Sequence, residues 1–390
     1  MYPTDEQGPL LEEHCAQARF IWNLALEQAN FYRPHWGSTP NHLEQCRQLT
    51  ELRAAFDWLR AGSQTVQQQA LRDFDQAMQN WWGGSHRRPT WRKVGLHEGF
   101  RQVGLEPRHV KRVNRKWGQV HVPKIGLVRF RWTRRVPDDV KSYRVTKDRA
   151  GRWHIAFAVI PPKIDGPDDG SHVGIDRGVV CTVATSDGEM FHAPTPDRAR
   201  QARLQRRLSR KTKGSNRRNR ARLALAKHQA KEVDRRKDFI EKVSTDLIRR
   251  FDVVVIEDLR IKNMVKSAKG TIQSPGHNVK QKAGLNRSIL EQGWGLFAKR
   301  LSHKGTVVKV PAAFTSITCS ACRHPDKNSR KSQAEFLCCV CGVVEHADVN
   351  AAKNIRTAGQ AVAGRGDIPK AAVSNCGVLS AKRQPQLSSG

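Results

Sequence analysis

The chain has 390 residues, 38% of them hydrophobic, enough for two or three packed cores. Its 69 Lys and Arg against 36 Asp and Glu leave a formal net charge of +33, which would self-repel without a polyanionic partner and excludes an ordinary enzyme of small metabolites. No apolar run approaches the ~18 residues of a membrane span, and the opening MYPTDEQ is too acidic and polar for a secretory signal, so nucleic acid is the partner expected.

In chain order, Leu11, Cys15, Ala18, Trp22, Ala25 and Ala29 recur at helical spacing and predict an amphipathic helix. Good helix formers continue from about 44 to 82, where Gly83-Gly84 stops them. From about 91 to 162 the texture turns to short β-rich runs: 118–123, 126–132, and 142–147 with 152–160, the last two joined by a hairpin turn at Asp148–Gly151. Arg129, Arg131 and Arg144 alternate with apolar residues and predict a charged sheet face. GPDDG (166–170) reads as a linker, followed by two strands around a tight turn in HVGIDRGVVCTVATSDGE. A basic helical pair is expected over about 197–250, then a buried strand at 251–259 whose β-branched run suits a sheet covered on both faces. Residues 265–285 read as a mobile loop, 288–303 as helix, 306–311 as strand and 349–357 as a short helix. The Gly-, Ala-, Ser- and Gln-rich segment 361–390 is expected to be disordered. Strands alternating with helices predict an α/β sheet for 171–360.

Five of the nine cysteines lie between Cys319 and Cys341, a distribution that suits a local metal site in a reducing cytosol better than a disulfide framework. Cys319-x2-Cys322 and Cys338-x2-Cys341 form two knuckles, and four thiolates predict one structural, tetrahedral Zn²⁺. Cys339 would make a one-residue gap and is left out; Cys15, Cys46, Cys181 and Cys376 are expected to be unpaired.

Three carboxylates fall at predicted strand or helix ends: Asp176 before a glycine turn, Glu257 closing an apolar strand, and Asp348 opening a helix. Phosphodiester hydrolysis needs an activated water and a stabilised leaving oxygen, and two Mg²⁺ held by a few carboxylates supply both. Turn and N-cap roles explain Asp176 and Asp348 equally well when each is taken alone. Glu257 is harder to explain so, since a carboxylate closing a buried strand is costly without a partner. In 203–222, ten of twenty residues are basic: Arg203, Arg206, Arg207, Arg210, Lys211, Lys213, Arg217, Arg218, Arg220 and Arg222. A solvated charge run is the plain alternative. The run leads into a helix with Ile240, Val243 and Leu247 on one face, which anchors it and favours a phosphate-tracking element. Trp81, Trp82, Trp91, Trp117, Trp132 and Trp153 lie among Arg and Lys and could stack bases, though core packing explains any one of them.

Taken together, GIDRG, SRKTKGSNRRNRARLALAKH, VVVIEDLRIKNM, TSITCSACRHPDKNSRKSQAEFLCCVCG and HADVNAAKNI, in that order over 171–357, resemble the TnpB family of transposon-encoded nucleases related to type V CRISPR effectors. YPTDEQ and RFIWNLALEQ resemble the family's opening. The resemblance implies an N-terminal β-barrel over 1–165 with a helical insertion at about 5–90. It implies an RNase H-like (RuvC) nuclease domain over 171–314 and 346–360, with a zinc ribbon inserted at 315–345. Asp176, Glu257 and Asp348 match the three RuvC carboxylates, and the four cysteines match the ribbon. The implied activity is cleavage of double-stranded DNA paired to a guide RNA from the mobile element, beside a short adjacent motif, in the prokaryotic cytosol. Family members begin with a basic strand ahead of the YPT segment, whereas this sequence starts at Met1-Tyr2-Pro3. The rival readings are a nuclease-dead RNA-guided repressor, which loss of an acid would mark, and a guide-free nuclease of branched DNA. A transposase using Tyr or a His-hydrophobic-His motif finds no support.

Overall fold

The computed structural model describes residues 1–31 and 40–364. The chain divides into two compact units, one made of Met1–Pro161 with Asp197–Glu232, the other of Pro162–Pro196 with the residues from Val233 onward.

In the first unit, helices α1 (Gln7–Asn30), α2 (His42–Ala55), α3 (Asp57–Ala61) and α4 (Gln64–Trp82) pack before any strand forms. The helical stripe of α1 buries Leu11, Cys15, Ala18, Trp22 and Ala25, and α4 answers with Val66, Ala70, Phe74 and Met78. Trp22 meets Phe74 edge to face, ring centroids 5.4 Å apart. The Ser63 hydroxyl accepts from the Val66 amide at the start of α4, and Gly83 ends it.

Six strands follow: β1 (Gly99–Val103), β2 (Val110–Arg112), β3 (Trp117–Val122), β4 (Gly126–Arg131), β5 (Ser142–Lys147) and β6 (Trp153–Phe157). They form two antiparallel sheets, ordered β1-β5-β6 and β2-β3-β4. Backbone pairing of Tyr2 with Arg129 adds to the second. The β5–β6 hairpin turns where expected: the Asp148 carboxylate accepts from the amides of Ala150 and Arg152, and Gly151 takes a left-handed φ of 81°. Arg129 and Arg131 share the exposed face of β4, but Arg144 lies in the other sheet, on β5, and pairs with Asp73 at 2.7 Å. The basic hairpin α5 (Arg198–Ser209) and α6 (Asn216–Arg250) contributes its residues up to Glu232 to this unit.

The second unit is built on one sheet. Its strands are β7 (His172–Asp176), β8 (Val183–Thr185), β9 (Met190–Phe191), β10 (Val253–Glu257) and β11 (Thr306–Val310), ordered β9-β8-β7-β10-β11. β7, β8 and β9 form an antiparallel meander, while β10 and β11 run parallel to β7. That connectivity is the RNase H-like topology that the family resemblance implies.

Strand alternation distributes VVVIE between two cores. Val254 and Ile256 join Val173 and Ile175 against Ile240, Val243, Leu247 and Ile248 of α6, with Phe297 and Leu301. Val253 and Val255 face the other way, with Val308, Val310 and Ile355. Each fully buried Val or Ile contributes about 1.5–3 kcal/mol, so this sheet carries much of the unit's stability.

Helices α7 (Ile261–Met264), α8 (Val279–Gln292) and α9 (Trp294–Lys304) connect β10 to β11. The polar stretch read as a loop to 285 therefore ends at Asn278, where α8 begins, a helix that buries Ile289. After β11 comes a small antiparallel pair, β12 (Glu335–Leu337) and β13 (Val344–His346), then α10 (Ala347–Gly364). Helix α10 is longer than the short helix expected at 349–357 and includes the first residues of the segment read as disordered from 361; the rest of that segment, with Cys376, lies outside the described residues. Among the described residues, no helix is long and apolar enough to cross a membrane.

Candidate active site

Parity along the strands decides where the acids go. Gly174 and Asp176 leave β7 on the face opposite Val173 and Ile175; Glu257 leaves β10 on the face of Val253 and Val255. Both carboxylates thus reach the side of the sheet covered by α10, at adjacent C-terminal strand ends. Helix α10 comes close enough that a Cβ on Gly174 would lie 2.0 Å from the Ala352 carbonyl oxygen, and Asp348 sits one turn before Ala352.

Burial, then the neighbouring charges of Glu257 and Asp348, push the Asp176 carboxyl up to about 7. Burial likewise raises Glu257. Two arginines temper the cluster. Arg330, from the segment between the cysteine knuckles, lies 3.3 Å from Asp348 and lowers Asp176. Arg177 is buried and donates to the Glu257 carbonyl oxygen. A cleft of about 280 Å³ opens beside Asp176 and Asp348, with Arg330, His192 and His346 in its walls.

Asp348 is not the helix cap that its position suggested. It is the second residue of α10, and the ring of His346 accepts its amide at 3.2 Å, so the Asp348 side chain is free of capping duty. Asp258, one residue past β10, is exposed.

The four cysteine sulfurs Cys319, Cys322, Cys338 and Cys341 all lie within 4.8 Å of one another, the one such cluster of ligand atoms among the described residues. Cys319–Cys341 and Cys322–Cys338 are 3.7 and 3.6 Å apart. A regular ZnS4 tetrahedron with Zn–S near 2.3 Å has edges of about 3.8 Å, so the donor set fits zinc closely. The amides of Cys341 and Val340 lower the Cys338 thiol, while hydrogen bonds from neighbouring thiols raise Cys322 and Cys341, as expected of thiols crowded together with one proton shared among them. Cys339 turns away, 2.8 Å from an Asp326 carboxylate oxygen. Cys15, Cys46 and Cys181 are unpaired.

Side chains on one face of α10 grip the segment that enters this ribbon. Asn350 donates to the Thr318 carbonyl and accepts the Ser320 amide, each at 2.8 Å, while Asn354 donates to the carbonyls of Thr315 and Thr318. Arg323 returns the contact, reaching Asn354 and Thr357. The i, i+4 spacing of Asn350 and Asn354 in HADVNAAKN carries this signal in the sequence; nothing local marks Arg177, Thr315 or Arg330.

Of the basic run, Arg203, Arg206, Arg207, Arg210, Lys213, Arg217, Arg220 and Arg222 are exposed, while Lys211 is half-buried. Arg218 is committed to the fold, donating to the carbonyls of Leu208 and Lys211 and bracing the turn between α5 and α6. A second cationic surface lies on β3–β4. Trp117 is flanked by the guanidinium groups of Arg129 and Arg131 at 4.7 and 5.4 Å, and by Tyr2 edge-on at 4.9 Å. Of the other tryptophans, Trp82 and Trp91 are exposed, Trp153 is buried, and Trp81 and Trp132 pack against the core.

Comparison with known proteins agrees with this architecture. Residues 154–268 match the OrfB_IS605 family model, described as "Probable transposase"; 294–355 match the Cas12f1-like TNB domain and 1–33 a helix-turn-helix domain. The chain is 35% identical over 383 residues to "Putative RNA-guided DNA endonuclease InsQ" of Escherichia coli (strain K12), covering 94% of this chain and 92% of that one. It is 32% identical over 405 residues to a "Putative RNA-guided DNA endonuclease" of Streptomyces pristinaespiralis, covering 99% and 94%. Among solved structures, the Cas12f1-sgRNA-target DNA complex superposes with a TM-score of 0.55 at 16% identity, covering 90% of this chain and 83% of that chain, a likeness of fold alone. With full-length relatives at this identity, and motifs in the same order on an RNase H-like sheet, the chain belongs to the TnpB family.

Proposed function

We propose that the protein is an RNA-guided DNA endonuclease, in which Asp176, Glu257 and Asp348 hold the catalytic divalent cations and Cys319, Cys322, Cys338 and Cys341 hold one structural Zn²⁺. The observation that carries this reading is the acid cluster at the ends of β7, β10 and α10, whose mutual repulsion, added to burial, lifts Asp176 to about 7. The donors are all hard oxygens and the cluster is short of positive charge, which fits Mg²⁺. Mg²⁺ bound there would supply activation of water and stabilisation of the leaving oxygen in phosphodiester hydrolysis.

The chain's own groups do the rest. Arg330, paired with Asp348, is placed to neutralise a scissile phosphate, and Arg177 holds the end of β7 to the end of β10. We read the two sheets of the first unit as a β-barrel interrupted by α1–α4, with Tyr2 pairing into it ahead of the helices. The exposed cations of α5 and α6 and the Trp117–Arg129–Arg131 platform are the contacts we assign to nucleic-acid backbone and unpaired bases. The guide RNA comes from the mobile element and its pairing selects the target beside a short adjacent motif, in a prokaryotic cytosol that keeps the ribbon thiols reduced.

Expression with the native flanking DNA, followed by sequencing of co-purified RNA, names the guide and hence the DNA to test. The wild-type complex is expected to cleave that DNA in Mg²⁺. Asp176→Ala is expected to bind it and leave it intact; cutting by that variant would refute the assignment.

A further inference from the structure

Glu257 is buried, and it does not stand alone. The Thr315 hydroxyl, itself buried, lies 2.7 Å from Glu257 Oε1 and donates to it. That hydrogen bond opposes the upward push of burial on the carboxyl. Among the described residues Oε2 has no hydrogen-bond partner, so one oxygen is fixed by the protein and the other is left for a cation. Thr315 is held in turn: its carbonyl accepts from Asn354 Nδ2 at 3.0 Å, and Asn354 is buried on α10, six residues after Asp348. The residue therefore joins β10 to α10, touching one acid directly and reaching the helix of another through a single hydrogen bond.

We propose that Thr315 is a positioning residue for metal binding, fixing the rotamer of the Glu257 carboxylate and tying it to the α10 frame that carries Asp348. A free Glu side chain samples several rotamers, and fixing one oxygen by a buried hydroxyl removes that search before the cation arrives. The segment leading into the ribbon thus splints two acids that lie far apart in the sequence. This proposal rests on the metal-site reading above.

The test uses the full-length complex with its co-purified RNA. Cleavage of DNA matched to that RNA is followed across a Mg²⁺ series for wild type, Thr315→Val, Thr315→Ala and Thr315→Ser, with target binding measured in the absence of Mg²⁺. The Val and Ala variants are expected to shift the Mg²⁺ midpoint about 10–100-fold upward, the Ser variant to stay within about threefold of wild type, and target binding to hold throughout. A purely structural role, such as the hydroxyl's 3.2 Å contact with the Ala312 carbonyl, would lower target binding together with cleavage. If Val does not yield a soluble complex, the Ala and Ser pair, which differ only by the hydroxyl, decides. Equal midpoints for Ala and Ser, or loss of target binding in step with cleavage, overturn the proposal. A wild-type complex that binds matched DNA yet cuts it at no Mg²⁺ concentration refutes the nuclease reading instead. Mn²⁺ binding by wild type against the Ala variant still decides on Thr315 in that case.

Discussion

Gly174→Ala tests whether the approach of α10 to β7 sets the active site. The φ of Gly174 is not in the left-handed region, so alanine suits the backbone and only the space is in question. The added methyl would sit 2.0 Å from the Ala352 carbonyl oxygen, 2.5 Å from the Arg356 nitrogen and 2.9 Å from the Arg356 Cα. All three are backbone atoms of a helix buried by Ile355, so no side chain can swing aside. Restoring ordinary contact at roughly 3.4 Å requires α10 to move by about 1.4 Å (3.4 less 2.0), an overpacking that costs about 3 kcal/mol. For a unit of this size that lowers the melting temperature by about 6–12 °C. The functional loss should be larger than the stability loss suggests. Asp176 lies two residues beyond the clash on β7 and Asp348 one turn before it on α10, so the displacement acts on the gap between them. A misplacement near 1 Å costs about 100-fold in rate. Gly284→Ala on α8 is the control, because nothing lies within 4 Å of the Cβ it would add. Cleavage rates and melting curves of both variants check the argument. Gly174→Ala with wild-type cleavage and a melting point within about 1 °C of wild type would refute it.

Cys338→Ser should release the zinc, read as metal per chain by elemental analysis, and should lower cleavage because Arg330 and the Asn350 and Asn354 contacts lose their frame. Asp148→Ala should cost about 1–2 kcal/mol, since this carboxylate accepts two turn amides and the side chains of Arg152 and His154. Burial pulls Asp148 up, but these hydrogen bonds outweigh it and hold the carboxyl down at about 2. Its stabilisation is therefore complete above the ordinary carboxylate range near 4 and is lost as the pH falls toward 2. The melting difference between wild type and variant should be constant at neutral pH and shrink between about pH 4 and pH 2. Replacing Trp117 with Ala should weaken RNA binding by about 1–3 kcal/mol with little change in salt dependence. Arg129→Ala should instead reduce the salt slope by about one unit, both effects read from titrations at several salt concentrations.

The sequence exposed what depends on local pattern. The two-residue gaps of the cysteine knuckles, the β-branched run of β10 and the helical stripe of α1 each need only one segment to be read, and each lies where expected. Loop ends were less legible: the lysines and Gly284 of 279–285 mask a helix that buries Ile289 alone. Asp348 shows the opposite limit. An acid at a helix start suits a cap so well that only the structure, with His346 in that role, frees it for another.

What stayed hidden is the set of groups that act across elements. Thr315, Arg177 and Arg330 carry no local signature, since a threonine before a knuckle and an arginine between two knuckles are ordinary surface residues in sequence. Their importance follows from topology. The RNase H-like sheet brings the ends of β7 and β10 together, and the closing helix returns to that spot only after the ribbon has been inserted between β11 and α10. An insertion at that point must begin and end beside the acids, because both of its attachment points are neighbours of the strand ends and of Asp348. The entering segment thereby delivers Thr315 to Glu257, and the turn between the knuckles delivers Arg330 to Asp348. The ribbon is then more than a folding aid for a short segment: its position in the chain makes it a supplier of groups to the site.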